Sequence, residues 1–84
     1  MQKPSLARLV LTLVPATENN GSDVAPAVIT RTWGAGPDGT DLVNLKVLLD
    51  SPVEKWQTSV KLFETEEQAR AHGTLGACFW PPRV

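Results

Sequence analysis

GTLGACFWPPRV, residues 73–84, decides how this chain reads. Gly73 and Gly76 precede a short apolar run that ends in Phe79 and Trp80. Pro81 and Pro82 then stop it, because proline has no N–H to give to a ladder. A chain that puts a Trp on its last strand and then forbids further pairing closes a small β-barrel with its own C-terminus. Closure removes the free edges that a short open sheet would expose.

Working back from that end, the sequence predicts one short helix before the last strand, over residues 66–72. Thr65 caps it and Gln68, three residues on, completes a capping box. Glu66 and Glu67 sit at its positive end, Arg70 and His72 at its negative end. Gly73 suits the position after a helix.

Four more segments carry strand chemistry. Residues 56–63 alternate, with Trp56, Thr58, Val60 and Leu62 expected on one side and Gln57, Ser59 and Lys61 on the other. In residues 42–49, Val43, Leu45, Val47 and Leu49 form the clearest buried face, while Asn44 and Lys46 point away together with Leu42 and Leu48. Residues 25–33 are rich in β-branched side chains, with Pro26 confined to the strand start or an edge. Residues 6–14 place Ala7, Leu9, Leu11 and Leu13 on one face, Arg8 and Thr12 on the other. Residues 16–23 read as an exposed loop and residues 34–39 as a hairpin tip. The expected fold is all-β: a five-stranded antiparallel SH3-like barrel, with an OB-like barrel as the alternative.

Eighty-four residues make a single domain, spanning 1–84. Such a chain buries roughly 60–65% of its unfolded surface, so the core is thin. A charged fraction of 20% is ordinary for a globular protein and argues against disorder. The net charge is −1 and the eight Lys and Arg are scattered, which argues against nucleic-acid binding through many phosphates. The single cysteine, Cys78, excludes an internal disulfide and reads as a small buried hydrophobe. The N-terminal apolar run is too short to cross a membrane and lacks a signal cleavage site, so a cytoplasmic protein is expected.

Catalytic signals are sparse. No Ser/His/Asp elbow and no zinc spacing of Cys and His occurs. Glu64, Glu66 and Glu67 are explained by the helix dipole. The run 34–41 lacks the lysine and the following helix of a phosphate loop, and its Asp38 and Asp41 do not match an EF-hand. His72 reads as a helix-end residue. No enzyme activity, cofactor or metal is expected.

Three tryptophans with no tyrosine are a heavy use of large rings. Core packing is expected for at least two of them. The remainder, with nearby arginines, would line a groove, since Trp and Arg are enriched in binding hot spots. The candidate binding residues are Arg31, Trp33, Trp56, Trp80 and Arg83.

Taken in order, PSLARLV, APAVITRTW, VNLKV, WQTSV, GT and FWPPRV resemble a family of small proteins encoded by tailed phages and prophages, many of actinobacterial hosts. Its members read PAIVVRVW, VNLQV, WxTSV and GTWHWPPRV. The resemblance spans nearly the whole chain and implies a small SH3-like barrel of phage origin. It brings no activity. The capped segment before Gly73 and the insertion between Thr74 and Phe79 depart from the family pattern.

The leading expectation is a non-enzymatic binding module for a host or phage protein. The first alternative is a virion component that forms homo-oligomers through outward Leu42 and Leu48. The second is a sponge for a nucleotide or other small anionic ligand, motivated by Arg31 and Arg83 beside tryptophans.

Overall fold

The computed structural model describes residues 4–73 and 76–82. Five strands close into a barrel in the order β1 (Leu9–Leu13), β2 (Val24–Ala35), β3 (Asp41–Val47), β4 (Lys55–Phe63) and β5 (Ala77–Phe79). A seven-residue helix, α1 (Glu66–His72), precedes β5. None of the described helices is long and apolar enough to cross a membrane. The expected closed all-β barrel with its single short helix is what the chain forms.

β5 is the closing element. It pairs antiparallel with β1 through Leu11–Phe79 and Thr12–Cys78, and parallel with β4 through Lys61–Ala77, Leu62–Cys78 and Phe63–Phe79. Four pairings are thus antiparallel and one is parallel. The parallel pairing arises because α1 carries the chain back before β5 re-enters in the direction of β4. All three β5 residues are fully buried. Cys78 faces the main core with Val10, Ile29, Val43, Leu45, Val60 and Leu62. Ala77 and Phe79 face a second cluster with Leu13 and Ala69 of α1. Burial on both faces explains why this strand reads as a continuous apolar run.

α1 ends where its sequence dictates. Thr65 Oγ1 accepts the Gln68 backbone N–H at 3.2 Å, and the Gln68 side chain accepts the Thr65 N–H at 3.3 Å, which completes the capping box. Arg70 bridges Glu66 and Asp23, tying the helix to the loop before β2.

Three expectations are corrected. In β1, Val10 and Thr12 turn toward the interior and Leu9 is 56% exposed, the reverse of the predicted face. Leu11 and Leu13 pack instead under α1, so both faces of β1 are used and the alternation misleads. The buried Thr12 hydroxyl is satisfied by Gln57 Oε1 at 3.0 Å and the Ala77 carbonyl at 3.3 Å. The loop over residues 16–23 contains a 3-10 turn, Ala16–Glu18, and a buried Asn19. Asn19 donates to the carbonyls of Ser22 and Val24 and accepts the Asp50 N–H at 2.6 Å, so one side chain ties two loops together.

The third correction lies in β4. Val43 pairs with Val60 and Leu45 with Gln57, so Asn44 alone faces Thr58 and Ser59. This bulge inverts the strand's phase halfway along it. Val60 and Leu62 point in, Trp56 and Thr58 point out, and Gln57 turns inward to Thr12. Ser59 takes a left-handed φ of 55° to make the bulge. Two irregularities in β2, between Ile29 and Arg31 and between Thr32 and Gly34, bend the other side of β3 in the same way.

Candidate functional site

Only one tryptophan is a core residue. Trp80 is 4% exposed, whereas Trp33 is 50% and Trp56 59% exposed. Burial of at least two rings, expected from the thin core, is therefore corrected. The bulges are the cause: each lifts a ring off the interior side of its strand.

The outer face of β2, β3 and β4 collects the exposed rings. The strand registers align Leu9, Val28, Lys46 and Trp56 in one row across four strands. Lys46 is exposed and Val28 half-buried. The next outward position of β3 is Asn44, about 7 Å away along the strand. Arg31 pairs with it from β2. Trp33 lies across this position and donates its indole N–H to Asn44 Oδ1 at 2.9 Å. The Arg31 guanidinium sits over the Trp33 ring, 4.1 Å from its centroid.

Asn44 organises the face. Its Oδ1 also accepts the Thr58 hydroxyl at 3.0 Å and the Ser59 backbone N–H at 2.9 Å. An indole and a backbone amide can only donate, so the amide oxygen must lie on that side. Asn44 is only 7% exposed although it points outward, with Trp33, Thr58 and Ser59 hydrogen-bonded around it. Asn44 thereby holds Trp33 in a fixed pose and pins the β4 bulge.

Charge is distributed unevenly. Lys55 pairs with Glu18, Lys61 with Asp38, and Arg70 with Asp23 and Glu66, at 2.7–2.9 Å. Arg31 and Lys46 have no carboxylate partner among the described residues. The face thus presents two indoles, two cations and an amide.

Of the residues expected in a groove, Arg31, Trp33 and Trp56 share this face. Trp80 does not; it is buried after β5, with the Arg8 guanidinium 5.1 Å from its ring centroid. Arg83 lies outside the described residues. Asn44 and Lys46 complete the face. Neither stood out in the sequence, because their roles follow from strand registers that the bulges set.

No comparable arrangement of nucleophile and base is present among the described residues. Cys78 is fully buried, and burial pushes its thiol up to about 12, so it stays protonated and inert. His72 packs obliquely against Phe63, with ring centroids 5.5 Å apart. No group of three or more His, Cys, Asp or Glu able to hold a metal occurs among the described residues.

Comparison of the chain with protein-family models, curated proteins and solved structures returns no match.

Proposed function

We propose that this protein is a non-enzymatic binding module that takes a protein partner, of host or phage origin, on the outer face of β2, β3 and β4. One observation carries the reading: two of the three tryptophans stand half-exposed on one face, and one of them is fixed there by a nearly buried asparagine. A large ring left in water costs burial that a thin core would otherwise use. Rings held rigid before contact lose little freedom on binding, which favours affinity. The phage assignment is supported by the family resemblance of the sequence.

Of the two residues that motivated an oligomer, Leu42 is half-buried and Leu48 39% exposed, whereas the indole face exposes Leu9, Trp33 and Trp56 and so has the stronger support. The cytoplasm of an infected cell is the proposed location.

A photo-cross-linking residue at Leu9, in the outward row, tests the reading in cells that produce the protein. Leu9→p-benzoylphenylalanine should give one dominant cross-linked protein band, lost when Trp33→Ala and Trp56→Ala are added. The same probe at Glu67 on α1 should give none of it. Equal cross-linking from both positions contradicts the proposal.

A further inference from the structure

We infer that Arg31, Asn44 and Lys46 together receive a carboxylate from an acidic segment of that protein partner. This rests on the binding reading above and adds the partner's chemistry to it.

The three side chains offer donors only. With Oδ1 of Asn44 committed to Trp33, Thr58 and Ser59, its Nδ2 has no partner among the described residues. No side-chain nitrogen or oxygen among the described residues is both buried and without a partner, so this Nδ2 opens to solvent, where a ligand can reach it. Arg31 pairs with Asn44 across the β2–β3 ladder, and Lys46 follows it on the same side of β3. The other described lysines, and Arg70, already hold carboxylates of the chain itself; these two cations do not. A carboxylate brought by the ligand can pair with these cations and with the Asn44 amide. Stacking on Trp33 fixes the guanidinium in advance, which favours directed recognition of a carboxylate.

The number of charges selects the kind of acid. Two cations on a chain of net charge −1 suit one or two carboxylates. A nucleic-acid backbone gains affinity through several phosphate contacts, and Lys61, on the same outer face opposite Leu42, already holds Asp38. Leu9, Val28 and Trp56 flank Lys46 in the outward row and accept apolar side chains beside the acid. The segment that fits alternates acidic and apolar residues in an extended conformation.

Titration of the 15N-labelled full chain tests this, with NMR reading the side-chain amide of Asn44 and the indole N–H groups. The probes are a blocked Leu-Glu-Leu-Glu-Leu peptide, its Gln counterpart, inorganic phosphate and a short oligothymidylate. The Glu peptide is expected to shift Asn44 and Trp56. Its binding should weaken about fivefold or more when NaCl rises from about 30 to about 300 mM, as screening removes the charge contribution. Lys46→Glu should weaken it similarly while its melting temperature stays at the wild-type value. Equal binding of the Glu and Gln peptides overturns the acidic assignment and leaves the binding face intact. Shifts caused by phosphate or oligothymidylate, and not by the Glu peptide, overturn it in favour of another anion. If no probe moves the face, the inference is overturned, and cross-linking from position 9 then judges the binding reading separately.

Discussion

At the scale of single residues, Asn44 bears the most consequence. One amide oxygen holds an indole, a hydroxyl and a backbone N–H from two strands. Asn44→Leu removes the acceptor for all three and leaves the Ser59 N–H at a bulge without a partner. The expected cost is about 1–2 kcal/mol in urea unfolding, the scale of losing part-buried hydrogen bonds worth roughly 0.5–1.5 kcal/mol each. Faster exchange of the Trp33 indole proton should accompany it. Asn44→Asp keeps the acceptor and should restore most of the stability. A Leu variant as stable as wild type would show that Asn44 does not organise the face. None of this was legible in the sequence. Asn44 pointed outward as its position in the alternation predicts, but it is buried among partners that lie eleven to fifteen residues away in sequence. Cys78 was legible, because a small apolar residue in a run ending at Pro81 had nowhere to go but the core.

At the scale of elements, the terminal strand, the helix cap and the core face of β3 followed directly from local chemistry. Thr65 and Gln68 cap α1 as their spacing predicts, and Val43, Leu45 and Val47 are fully buried. The strands on either side of β3 were less legible. A bulge inserts one residue and reverses the inside and outside of everything beyond it, while composition stays strand-like throughout. Thr58 and Ser59 carry no sequence mark of this, since the left-handed residue is a serine rather than a glycine. β1 failed for a different reason: one face meets the barrel interior and the other meets α1. The β2–β3 hairpin tip carries a pH signature. Lys61 of β4 donates to Asp38 at 2.9 Å and, with the Thr40 N–H, draws its carboxyl down to about 2 from an ordinary 3.8. A carboxyl acid-shifted in the folded state stabilises above its unfolded value, and that contribution fades as pH falls from 3.8 through about 2. Asp38→Asn should therefore melt below wild type at pH 6, with most of the difference lost at pH 2. A difference that persists unchanged at pH 2 would place its origin in packing rather than in the ion pair.

At the scale of the whole molecule, a three-residue strand seals the barrel, and the bulged strands β2 and β4 turn two large rings outward. The two features divide the aromatic residues between fold and recognition. Phe79 and Trp80 serve the core; Trp33 and Trp56 serve the outer face. The sequence showed the supply of rings and the closing strand, but not this division, because exposure of a Trp depends on the bulge phase of its own strand. Urea unfolding of two variants tests the division most directly. The double variant Trp33→Ala, Trp56→Ala should lose less than about 2 kcal/mol, as surface truncations do. Trp80→Ala should lose about 3 kcal/mol or more, as truncation of a buried ring does. The opposite order, with the double variant the more damaged, would make Trp33 and Trp56 parts of the core and contradict the account.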